Sequence, residues 1–324
     1  MKWSRTLTIT AIGALGALGF AGCSSGGDGE GDTAGSYEFA FVQGVAGDEF
    51  YISMQCGMES KAKELGVTVN TQGAEKFDPS LQKPLVDSVV ASSPDALLIA
   101  ATDQTAMQAP IKAANDAGVE VVLVDTSIED PSFAVSAIAS DNIGGGEAAF
   151  KAIAEAHPDG GKVLVVSVDP GITTTDQRAE GFEAAVAEND KFESLGVQYS
   201  HNQPDEAARI VTASLQKDKD IVGIFAANLF AAEGTATGVK QAGAEDLTIV
   251  GFDAGPAQVE QLKAGTVQAL VAQEPASIGE QAVEQAYNAL EGEETTTEIQ
   301  TGFTIITQDN IDGDAADAVY QSSC

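Results

Sequence analysis

A pair of doubly wound α/β domains, each built on a parallel sheet, is the fold that this sequence predicts. The first observation is alternation: short β-rich apolar runs recur along the chain with helical patterns between them. The second is that these runs are nearly continuous in apolar residues, as strands are when helices cover both faces of their sheet. The third is length, since 324 residues exceed the ~250–300 at which single cores stop growing. Hydrophobic residues make up 44% of the chain, which suffices for buried cores and excludes a disordered polymer.

In chain order, residues 1–22 read as an export signal rather than as structure. Lys2 and Arg5 precede an apolar run, Thr6 to Phe20, that is too short to span a bilayer comfortably. The run ends Phe20-Ala21-Gly22-Cys23, which resembles a bacterial lipoprotein signal and implies a lipid on Cys23. Phe20 is a mild departure, since an aliphatic residue is usual there; an ordinary cleaved signal with an incidental Cys is the alternative. Residues 23–35 (CSSGGDGEGDTAG) form a flexible tether. Cleavage before Cys23 removes Lys2 and Arg5 and deepens the net charge from -33 to -35.

Strands follow at 37–43, 67–72, 96–101 and 120–125, with helices at 50–65, 81–91 and 105–117 between them. The rhythm resumes with strands at 162–168, 197–200, 221–227, 247–253 and 267–273. In such sheets ligands bind beyond the carboxyl ends of the strands. The residues there include Asp48, Phe50, Tyr51, Asp125, Thr126, Asn228, Asp253 and Gln273, a set of aromatics, amides and carboxylates. Aromatic faces with polar groups around them suit a polyhydroxylated ring, which offers C–H faces to stack on and hydroxyls to hydrogen-bond.

Charge and motifs exclude other classes. With 49 Asp and Glu against 16 Lys and Arg, a nucleic acid would be repelled. GxGxxG, HExxH, GxSxG and Walker A patterns are missing, so neither a cofactor nor an enzymatic activity is expected. The Asp-rich tail 309–317 carries Tyr320 where a calcium loop needs Glu, and no Cys/His spacing suggests a metal. Beyond Cys23 only Cys56 and Cys324 remain; an exported chain with two thiols suggests a pair, and two free thiols are the alternative.

Several segments, in this order, carry a resemblance: EFYISMQCGMESKAKELGV (49–67), AANDAGVEVVLVD (113–125), ASDNIGGGEAA (139–149), QRAEGFEAAVAEN (177–189), FAAN (225–228), GFDAGP (251–256) and AQEPASIGEQAVE (272–284). From about Tyr37 to Gln308 the chain is similar to the type I periplasmic sugar-binding proteins, the ribose-binding group of ABC-importer solute receptors. The resemblance implies two α/β lobes joined by a three-strand hinge, residues 36–139 plus 274–302 and residues 140–273 plus 303–324, with crossings near Ser140, Gln273 and Phe303. It implies that Phe50 and Tyr51 sandwich a sugar ring, and that Asp125 accepts its hydroxyls. Arg178 would reach the ligand from the second lobe, where Asn228, Asp253 and Gln273 also fall on ligand positions.

Each of these residues has a plainer reading. Arg178 could form a surface ion pair, Phe50 and Tyr51 could be core residues of the first helix, and Asn228 and Asp253 could cap helices. Asp48 stands where the ribose-binding members carry Asn, and Thr126 where they carry Arg. If both line the pocket, an acidic sugar is disfavoured and a neutral sugar, polyol or amine-bearing ligand is favoured. The resemblance further implies an ABC permease and its ATPase as partners, a membrane-anchored extracytoplasmic lipoprotein, and a monomer. A receptor that presents ligand to a membrane sensor is the alternative.

Overall fold

A computed structural model describes residues 36–244 and 246–324. The export segment, the tether and Cys23 lie outside the described residues.

Strand β1 (Glu38–Gln43) leads to helix α1 (Glu49–Leu65), β2 (Thr68–Gly73), α2 (Pro79–Ala91), β3 (Ala96–Ile99), α3 (Gln108–Asp116), β4 (Glu120–Val124) and β5 (Ser136–Ser140). Then come α4 (Asn142–Ala156), β6 (Gly161–Ser167), α5 (Thr173–Ala187), β7 (Phe192–Tyr199), α6 (Pro204–Lys217), β8 (Ile221–Ala226), α7 (Leu229–Ala242), β9 (Thr248–Phe252), α8 (Pro256–Lys263) and β10 (Ala269–Gln273). The chain closes with α9 (Pro275–Glu291), β11 (Glu298–Thr301), β12 (Phe303–Thr307) and a 3-10 turn at Ala316–Ala318.

These strands form two six-stranded sheets, in the orders β11-β5-β4-β3-β1-β2 and β12-β10-β9-β8-β6-β7. The first is parallel throughout, and the second is parallel apart from β12, which runs antiparallel to β10. Central strands β3 and β9 are buried at every position, whereas the edge strand β2 alternates between exposed and partly buried residues. This is the difference between a strand covered on both faces and one at a solvated edge.

Helix ends are set by side chains that the sequence supplies locally. Asp48 caps α1 by accepting from Phe50 N at 2.9 Å, and Gly66 ends the helix in the left-handed conformation at φ 74°. Asp141 caps α4 through Gly144 N at 3.0 Å. The Gly144–Gly146 run then lets α4 lie close to the second sheet: a Cβ at Gly145 would stand 2.7 Å from the Phe252 ring, and one at Gly146 would meet the Arg178 carbonyl.

Three crossings link the sheets. The chain leaves β5 for α4, which packs on the second sheet; it leaves β10 for α9, which packs on α1 and β4; and it passes from β11 to β12 through Gly302. The crossings are bonded to one another: Ser140 Oγ donates to Gln273 Oε1 at 2.8 Å, and Asp141 N donates to the Thr301 carbonyl at 3.0 Å.

The C-terminal tail departs from the expected assignment of 303–324 to the second lobe. Tyr320 N donates to the Ala254 carbonyl of the second lobe at 3.0 Å, but Gln321 N donates to Ser53 Oγ on α1 at 2.7 Å. Cys324 then bonds to Cys56 of α1, with the two Cα atoms 5.2 Å apart. The last residues thus sit on the first lobe. The Asp-rich stretch before them keeps Asp309, Asp312, Asp314 and Asp317 exposed, and among the described residues no cluster of His, Cys, Asp or Glu is arranged to hold a metal.

Candidate ligand-binding site

The carboxyl ends of both sheets face a single cavity, with about 390 Å³ of empty space between its walls, part of it continuous with solvent. The first lobe contributes Asp48, Phe50, Tyr51, Phe77 and Asp125; the second contributes Val168, Ile172, Thr174, Thr175, Arg178, Asn202, Asn228, Asp253 and Gln273. Eight of the nine positions singled out in the sequence are in this set.

The ninth, Thr126, is not. It is buried and lines a separate groove with Ser127, Gln177 and Gln300. Asp125 holds a left-handed backbone at φ 61°, which turns the chain so that consecutive side chains leave in different directions. The missing positive charge at 126 therefore removes no wall of this cavity.

The two aromatics also differ from expectation. Phe50 and Tyr51 pack edge to face, with ring centroids 5.2 Å apart and planes inclined at 73°. No sugar ring fits between them; together they form one wall. Neighbouring helical residues point about 100° apart, so they cannot present parallel faces. The Tyr51 hydroxyl instead donates to Asp125 Oδ2 at 2.8 Å, bracing a carboxylate. Close approach by Tyr51 and Phe77 requires a glycine at Gly44, where a Cβ would stand 2.4 Å from a Phe77 ring carbon and from the Tyr51 hydroxyl.

Arg178 makes no surface ion pair. It is buried, stacks its guanidinium carbon 3.8 Å from the centroid of Phe252, and donates from Nε to Asn142 Oδ1 and from Nη1 to the Ala227 carbonyl, each at 2.9 Å. A guanidinium has five N–H groups; these two bonds use two of them, and Arg178 lines the cavity. Phe252 leads an aromatic column through Phe225, Phe182 and Phe150, which holds the platform rigid.

Asn228 caps a helix and also stands in the cavity wall. It caps α7 by accepting from Ala231 N at 3.2 Å, while its Nδ2 donates to Asn202 Oδ1 at 2.6 Å in the cavity wall. Asp253 does not cap the helix that follows it. Its Oδ2 accepts from Leu229 N of α7 at 2.9 Å, and its Oδ1 accepts from Gln273 Nε2 at 2.6 Å and from the Tyr320 hydroxyl at 3.1 Å. Gln258 supplies the cap of α8, accepting from Gly255 N at 2.8 Å.

Three carboxylates thus face one guanidinium. Burial pushes the Asp125 carboxyl up to about 6, against the pull of Arg178 and Tyr51. Burial, reinforced by the Asp253 charge, also holds Asp48 well above the usual carboxylate range. Burial and then Asp125 raise Tyr51, so its hydroxyl stays a donor.

Backbone conformation marks the same site. Among the described residues five non-glycines have positive φ, and Asp125, Asn202 and Asp253 are three of them. Asn and Asp tolerate this region best, and such positions concentrate where function constrains the chain. Of the residues that sequence reasoning missed, Thr174 and Thr175 stand four and three positions before Arg178, on the same helix face. That spacing was available. Asn202 and Phe77 lie in loops without periodicity.

The lobes are closed on this cavity. Gln104 N donates to the Gly171 carbonyl at 3.0 Å and Ser127 N donates to Thr173 Oγ1 at 2.9 Å, each bond joining one lobe to the other.

Comparison with known proteins agrees with this architecture. Residues 39–294 match the family model described as a periplasmic binding protein domain. The ribose import binding protein RbsB of Bacillus subtilis (strain 168) is 31% identical over 259 residues, which are 80% of this chain and 83% of that protein. An ABC transporter solute binding protein of Agrobacterium vitis, solved with bound alpha-D-tagatopyranose, superposes with a TM-score of 0.86 at 40% identity, covering 88% of this chain and all of that one. A second A. vitis solute binding protein, with bound D-fucose, gives 0.83 at 29% identity over 88% of this chain and all of its own. These relatives are binding proteins rather than enzymes. The chain belongs to the periplasmic binding protein family, among the type I sugar-binding proteins.

Proposed function

We propose that this protein binds a small neutral sugar or polyol between two lobes that close on it, and hands it to an ABC permease and its ATPase. One observation carries the ligand class: a cavity between the lobes whose aromatic wall, Phe50 and Tyr51, adjoins fixed polar groups from both lobes. Asp125 and Asp253 accept from hydroxyls, Arg178 donates to them, and Asn202, Asn228 and Gln273 do either. The sugars of the relatives described above, ribose, alpha-D-tagatopyranose and D-fucose, have this chemistry.

The charge of the walls narrows the choice. Even with Asp48 left out, Asp125 and Asp253 outnumber Arg178 at neutral pH, so a uronic acid would bring a further negative charge into a buried, already anionic site. Domain closure supplies the coupling to transport. A ligand that touches both walls selects the closed form, and a permease distinguishes that form from the open one. Cys23 carries the lipid that holds the receptor at the extracytoplasmic face of the membrane, and residues 23–35 are its tether.

A thermal-shift screen of the purified protein against D-tagatose, D-ribose, D-fucose, polyols, amino sugars and glucuronate tests the ligand class. Stabilisation by a neutral sugar or polyol and none by glucuronate is expected. Stabilisation by glucuronate alone would refute it.

A further inference from the structure

The three crossings at Ser140, Gln273 and Gly302 are not the whole connection between the lobes. After β12 the tail packs on the second lobe through Ile311 and Ala315, both buried, and reaches Tyr320. Tyr320 is 4% exposed and sits at the seam. Its ring lies 5.9 Å from that of Phe50 on the first lobe, while its hydroxyl accepts from Gln273 N at 2.9 Å and donates to Asp253 Oδ1 at 3.1 Å. Four residues later the chain is bonded to Cys56 of α1, the helix that begins with Phe50 and Tyr51.

We infer that the C-terminal tail is a fourth connection between the lobes, fastened by the Cys56–Cys324 disulfide, and that Tyr320 is a positioning residue of the ligand site. Tyr320 does not line the cavity; it touches residues on both walls that do. When the lobes part, its contact with Phe50 and its bond to Asp253 cannot both be kept, because they lie on opposite lobes. A tail free at its end would follow the second lobe. A tail bonded to α1 resists that motion, limits the opening, and keeps Phe50 and Asp253 near their closed arrangement.

This has a mechanical side and an affinity side. The affinity side rests on the ligand site proposed above; the mechanical side does not. Small-angle X-ray scattering of the ligand-free protein compares the disulfide-bonded chain with Cys56→Ser/Cys324→Ser, and the variant is expected to have the larger radius of gyration. Stopped-flow release of D-tagatose compares the same proteins and Tyr320→Phe. Losing the hydroxyl removes two buried hydrogen bonds, so release from Tyr320→Phe is expected to quicken about tenfold. A residue that only supported the fold would lower the urea midpoint and leave release well below melting unchanged. Equal ligand-free radii together with unchanged release from Tyr320→Phe would overturn the inference. Should D-tagatose fail to bind the unaltered protein, the ligand class is at fault, and the ligand-free radii alone decide on the fourth connection.

Discussion

Each lobe presents one aspartate in the same way. Asp125 follows β4 and Asp253 follows β9; both have left-handed backbones, at φ 61° and 77°, and both N–H groups donate to the neighbouring strand, to Ile138 and Val271, at 2.8 Å. Their side chains live differently. Asp125 accepts from a single described side chain, Tyr51, and sits at a pKa of about 6 through burial. Asp253 accepts from Leu229 N, Gln273 Nε2 and the Tyr320 hydroxyl. Equal backbone geometry therefore yields one carboxylate left open for a partner and one already built into the hinge. In the proposed site Asp125 is the adaptable acceptor, and Asp253 is the fixed post.

The comparison breaks most visibly if the two are removed in turn. Asp253→Ala leaves three buried donors unpaired, and a loss of about 3 kcal/mol in unfolding free energy is expected from urea titration, with ligand binding abolished. Asp125→Asn removes a buried charge that among the described side chains only Tyr51 hydrogen-bonds, and whose burial outweighs the pull of Arg178, so at pH 7.5 its melting temperature should equal or exceed that of the parent. Its affinity for the sugar should still fall by about 2 kcal/mol in calorimetry, the worth of a charged hydrogen bond. A destabilised Asp125→Asn would show that the two aspartates are alike after all.

Acidity sharpens the same contrast. The Asp125 carboxyl titrates near 6 when folded against about 3.8 when unfolded, so the folded chain binds the extra proton between those values. Its contribution to stability is thus fully present at low pH and is lost as pH rises through about 6. That loss amounts to about 2–3 kcal/mol at ~1.4 kcal/mol per pH unit. Ligand hydroxyls favour the ionised form, so affinity should run the other way, rising about tenfold from pH 5 to pH 7 in calorimetry. The rise should flatten in Asp125→Asn.

Two smaller effects test the lobes' other assets. Arg178→Lys keeps the charge but loses the stack on Phe252 and the two fixed hydrogen bonds, and affinity should drop about tenfold. Thr173→Val removes the acceptor for Ser127 N at the cleft mouth. Affinity should fall by only ~0.5–1 kcal/mol, chiefly through faster release.

Much of the site was readable because polar residues follow directly on apolar runs. LTIVGF ends at Asp253, EVVLV at Asp125 and IVGIFAA at Asn228, and in a parallel sheet those positions face the ligand side whatever the rest of the chain does. Thr126 misled for the same reason: adjacency to Asp125 placed it at the strand end, but one left-handed residue turned it away. Phe77 and Asn202 carried no comparable mark, because a loop side chain is aimed by what it packs on.

What the sequence determined by itself was local: two series of alternating strands and helices, the caps at Asp48 and Asp141, and the residues stationed at the strand ends. Each depends on neighbours a few positions away, through periodicity and hydrogen bonds to the nearest turn. Tertiary structure alone decided which carboxylate would be satisfied and which left open, that Phe50 and Tyr51 form one wall, and that Cys56 and Cys324 pair rather than stay free, with the tail laid on α1. The bonds responsible join Ser140 to Gln273 across 133 positions and Gln321 to Ser53 across 268. No local pattern encodes such pairs, because only the packing of both lobes brings them within reach.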